Sequence, residues 1–125
     1  MKEIAQIGLL SIFSLTIVFH LLILLKIIPY TIVWGARLKS DEAMYKFEIV
    51  SITLHIIFLF VVLFKSNYLI LDINGNILNI TLWIMAGLFL LNTVGNLFSK
   101  NKLEKSIFTP VTILLTIFAI ILALN

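Results

Sequence analysis

Long apolar runs separated by short polar clusters set the pattern of this chain. Hydrophobic residues dominate from Ile4 to Trp34, from Ala43 to Phe64, from Ile77 to Ser99 and from Ile107 to Leu124. A helix needs about 20 apolar residues to cross a hydrocarbon core of roughly 30 Å. Barrel strands would be about ten residues long with alternating polarity, and no such alternation occurs. The pattern predicts helices over 4–34, 41–65, 77–99 and 107–124. The expected fold is an all-α integral membrane protein, an antiparallel four-helix transmembrane bundle forming one domain over 1–125.

The breaks carry helix punctuation. Ser40 precedes Asp41 and Glu42, a cap followed by two acids where a helix N-terminus favours them. The run "DINGN" (Asp72 to Asn76) reads as a turn. "SKNKLEKS" is a charged hinge before Thr109-Pro110, and proline suits a first helical turn. The first apolar run is about 31 residues, or roughly 46 Å as a helix, too long for one perpendicular crossing. Pro29 inside it predicts a kink. Tyr30 and Trp34 fit the interfacial belt. "MKEIAQIGLLSIFSL" has no small-residue cleavage site after it and reads as a retained first helix.

Composition fixes the solvent. Of 125 residues, 62% are hydrophobic and 12% charged, against roughly 45–50% and about 25% in soluble domains. A chain this short cannot hide that excess in a water-facing core, so the lipid bilayer is its expected partner. The absence of cysteine excludes disulfides, thiolate metal sites and iron–sulfur clusters. The net charge of +3 lies at the ends of apolar segments, which argues for membrane orientation and against nucleic acid. Lys26, Arg37, Lys39 and Lys46 flank the first linker, and Lys100, Lys102 and Lys105 the third; Lys2 and Lys65 lie on the other side. Seven against two places these linkers in the cytoplasm and both termini outside, the plasma (inner) membrane being the expected site. Four short helices enclose little volume, so a homo-oligomer is expected.

The polar residues inside the runs are the candidate chemistry. If the first hairpin turns near residues 37 and 38, residues whose numbers sum to about 75 share a depth. Lys26 then lies level with Glu48, and His20 with His55. Glu48, Ser51 and His55 share one helix face, since seven residues turn a helix by only about 20° net. In the second hairpin Asn92 and Asn96 lie one turn apart, level with Thr112 and its neighbours. The polar groups gather in the cytoplasmic half, and the outer half is almost wholly Ile, Leu, Phe and Val. Ionisable residues in membrane spans are rare and usually functional, and histidine titrates near neutrality.

These readings give ligand-binding candidates His20, Lys26, Glu48, His55, Asn92, Asn96 and Thr112, and no catalytic residue. The leading expectation is a transport or small-ligand-binding protein with a polar pocket. The alternatives are an accessory subunit whose Asn, Ser and Thr residues, with Gly87 and Gly95, only join helices, and a histidine-based haem protein or membrane enzyme. His20 and His55 are weak metal candidates, because a zinc site wants three ligands or more. Ser51 and His55 are one turn apart, but no acid lies deep enough to orient that imidazole as a relay requires. No cofactor is expected, haem being a minor alternative.

Overall fold

A computed structural model describes residues 1–30, 40–99, 102 and 104–125. The described chain is helical: α1 (Lys2–Leu24), α2 (Asp41–Lys65), α3 (Gly75–Leu97), a π-helical turn (Glu104–Phe108) and α4 (Thr109–Leu124). Four segments, the last counted as Lys105–Leu124, are long and apolar enough to cross a membrane. Large apolar side chains stay exposed along every helix, among them Leu15, Ile57, Leu91 and Ile117. That surface suits lipid and not water.

The expected extension of the first helix to Trp34 is overturned. The helix ends at Leu24, ten residues earlier, and does not run on through a proline kink. Pro29 disfavours helical backbone at Ile28, and its ring would meet the Leu25 carbonyl. The chain stops cleanly instead. Lys26 takes φ 64°, its N–H reaches the Ile23 carbonyl at 2.9 Å, and the Ile27 N–H reaches that of Leu22 at 2.9 Å. That is a Schellman stop with lysine at the left-handed position. The same stop ends α2 at Asn67, φ 61°, a residue better suited to it. Trp34 and its neighbours 31–39 lie outside the described residues.

The other ends follow the sequence more closely. The Ser40 hydroxyl accepts from the Ala43 N–H at 3.2 Å and caps α2, with Asp41 and Glu42 in its first turn. Asn74 caps α3 through the Asn76 N–H at 2.8 Å. Pro110 sits in the first turn of α4. It has no N–H to give the residue 106 carbonyl, and the wide π turn lies where that mismatch must be absorbed.

Helix α1 packs on α2 and α4, while α3 packs mainly on α4 and more lightly on α2. Contacts between α1 and α2 run in opposite senses, as Phe13 meets Phe58, His20 meets Glu48 and Lys26 meets Asp41. The main core joins Leu9, Phe13, Phe58, Val62, Leu82, Met85, Phe89, Leu115 and Leu122. A second cluster, Ile23 and Met44 with Phe19, Tyr30 and Phe108, closes the bundle near the first linker. Between the two clusters the helices leave a cavity.

Candidate functional site

The α1–α2 register decides which polar groups meet. The observed pairs His20–Glu48 and Lys26–Asp41 have numbers summing to 68 and 67, against the expected 75. The early end of α1 slides the hairpin by seven residues. Seven residues are about two turns, so the same faces meet with different partners. Glu48 is buried completely and bonds the His20 Nδ1 through Oε2. The expected Lys26–Glu48 pairing does not form. Lys26 lies beyond the helix, half-exposed, on the Asp41 carboxylate, with Nζ 5.8 Å from the Tyr45 ring centre. The hydrogen bond and charge of Asp41 hold its ammonium above the ordinary lysine range, against a smaller opposing effect of desolvation.

The two imidazoles come together, their ring centres 5.5 Å apart and their planes at 43°. Helical side chains lean toward their own helix N-terminus, so these two, on helices of opposite sense, lean toward each other. His55 Nδ1 donates to the Ser51 carbonyl at 2.7 Å. Phe13, Phe58 and Phe89 surround His55, with ring centres 5.8, 6.5 and 6.5 Å away. The bond to Glu48 engages Nδ1 of His20 and leaves Nε2 outside that pair. The acid missing from the sequence reading is thus Glu48, and it orients His20 rather than His55.

A cavity of about 590 Å³ adjoins this pair, within the usual range for small-molecule sites. His20, Ser51, His55, Asn92, Asn96, Thr16 and Thr112 supply its polar lining, and Ile, Leu, Val and Phe from α1, α3 and α4 most of the rest. Lys26 and Glu48 do not line it. Asn92 does, and no hydrogen bond holds its amide among the described residues. Thr112 is occupied: its hydroxyl accepts from Thr93 Oγ1 at 2.9 Å and from Asn96 Nδ2 at 3.4 Å. It lies 3.0 Å from the Phe108 carbonyl, to which it donates.

Thr93 was not among the sequence candidates. It is buried, also bonds the Phe89 carbonyl at 2.8 Å, and shares the core face of Phe89 at i+4, the signal that would have found it. Gln6, also buried, and the Lys65–Asn79 hydrogen bond of 2.7 Å show that the other half is less purely apolar than expected. The glycines expected to bring helices together meet nothing: a Cβ at Gly87 or Gly95 would find open space. The close approach is at Gly8, where a Cβ would lie 2.4 Å from the Phe118 ring.

Among the described residues, no group of three or more His, Asp or Glu side chains could hold a metal ion. With 5.5 Å between their centres, the imidazoles would have to separate to admit a haem between them. The chemistry the arrangement does offer is an imidazole fixed by a buried carboxylate, able to donate, accept or carry a proton at a cavity wall. No protein-family model, curated protein or solved structure matches the chain.

Proposed function

We propose that the chain is a small polytopic membrane protein, an antiparallel four-helix transmembrane bundle, that binds or transports a small ligand. The observation that carries this reading is the cavity of about 590 Å³ walled by His20, His55 and Asn92, with Glu48 buried behind His20. A buried carboxylate is costly unless paired, and a purely structural bundle could use leucine there. The reading includes cytoplasmic first and third linkers, placing the pocket in the cytoplasmic half, and self-association through the apolar outer faces.

Thr93 and Asn96 of α3 both bond Thr112 of α4, which favours a structural role for these three. The ligand-facing set is therefore His20, His55 and Asn92. Lys26 leaves it, since it neither lines the cavity nor touches Glu48.

The test is a binding screen by thermal shift on the purified full chain, with Gly95→Leu as the pocket-filled control. Gly95 lines the cavity, and a side chain there begins in open space. A ligand should raise the melting temperature of the native chain by mass action and leave that of Gly95→Leu unchanged. If no compound distinguishes the two proteins, the accessory-subunit reading replaces this one.

A further inference from the structure

We propose that the ligand of this cavity is an uncharged, lipid-soluble molecule with an apolar body and a carbonyl head, entering sideways from the bilayer. The inference rests on the pocket reading above and adds the ligand's class and route. Three observations carry it.

The first is the mouth. Leu15 and Leu91 line the cavity, yet they are 70% and 69% exposed. Leu15 stands nine residues, roughly 14 Å, before the end of α1, and Leu91 six residues, roughly 9 Å, before the end of α3. The cavity thus reaches the outer surface within the apolar span and not only at its end. In a bilayer that surface meets acyl chains, so a molecule dissolved in lipid reaches the mouth directly.

The second is charge. Among the described residues, no Asp, Glu, Lys or Arg lines the cavity. Glu48 is engaged by His20, and Lys26 by Asp41. A charged head would enter a low-dielectric site with no counterion left for it, which is costly. A neutral head avoids that cost.

The third is the hydrogen-bonding inventory. His20 keeps Nε2, and Asn92 keeps a whole amide, with two donors and an acceptor. Among the described residues, Asn92 loses no partner when it turns to a ligand. A carbonyl oxygen can accept from the Asn92 amide. The walls beyond are mainly Ile, Leu, Val and Phe, suited to an apolar body.

The experiment uses the full chain in nanodiscs and three probes with the same decyl tail: decylubiquinone, undecanoate and decyltrimethylammonium. Decylubiquinone should give a saturable rise in melting temperature that Gly95→Leu abolishes. Asn92→Leu, which breaks no hydrogen bond among the described residues, should weaken that response about three- to tenfold, the worth of one hydrogen bond. The two ions should give no saturable rise. An equal response to either ion, or none to decylubiquinone, overturns the inference. The pocket reading survives that outcome if some compound still distinguishes native chain from Gly95→Leu; if none does, both readings fall together.

Discussion

Glu48 shows how much a single side chain can depend on its partner. It is shut off from solvent, so removing His20 would take a hydrogen-bond partner from a buried acid, and removing Glu48 would leave His20 without the group that orients it. Breaking a buried pair from one side typically costs about 3–5 kcal/mol, whereas replacing both members by apolar groups is often neutral. His20→Leu should therefore destabilise the bundle by that order, and Glu48→Leu added to it should recover most of the loss. Unfolding in mixed micelles measures both; equal losses in single and double variants would remove the pair from the account. Lys26 behaves differently. Its ammonium is held above the ordinary 10.5, so the Asp41 contact contributes fully below that value and fades as pH rises through the raised one. The stability difference between native chain and Lys26→Met should stay flat through neutral pH and shrink only on the alkaline side. Its backbone is the second handle: Lys26→Asn should be tolerated at φ 64°, while a β-branched Lys26→Val should lower the melting temperature.

At the scale of helices, α4 lays the Phe118 ring tightly over α1 at Gly8. A Cβ there would lie 2.4 Å from Phe118 Cε2 and 2.7 Å from Cδ2, so the ring must move to admit even a methyl group. Gly8→Ala should cost about 1–3 kcal/mol, the usual range for overpacking. Phe118→Leu in the same chain should return part of it, and additive losses would mean that the ring was not the obstacle. The sequence pointed to Gly87 and Gly95 instead, because composition shows where glycines are and not which face a neighbour covers. Element number and type were legible from run length alone, and the Ser40 cap from the two acids that follow it. The end of α1 was not: a proline in an apolar run permits a kink or a stop, and backbone hydrogen bonds at Lys26 and Ile27 decide for the stop. That one choice reassigns the partners of Glu48 and Lys26. The facing residues survived because a slide of seven positions returns a helix almost to the same face, which is why His20, Glu48 and His55 still meet.

For the molecule as a whole, the open quantity is its direction in the bilayer, and it fixes which compartment the pocket's half faces. The charges supply the argument. Basic residues near short loops are retained on the cytoplasmic side, and Lys26, Lys46, Lys102 and Lys105 cluster at the end of the bundle where α1 finishes and α4 begins. Arg37, Lys39 and Lys100 belong to the same two linkers by sequence, though they lie outside the described residues. Lys65 stands at the opposite end, bonded to Asn79, and Lys2 opens α1 beside it in depth. His20, Asn92 and Asn96 lie toward the basic end of their helices, so the pocket follows the linkers. The chain lacks cysteine, and a single introduced thiol therefore reports one position without background. Asn74→Cys, between α2 and α3, should react with a membrane-impermeant maleimide in intact cells. Asn101→Cys should react only after the membrane is permeabilised. Reversed labelling would put the basic linkers outside and move the pocket to the outer leaflet. Labelling of both positions in intact cells would show a mixed orientation, and the seven-to-two distribution would then fail to decide the topology.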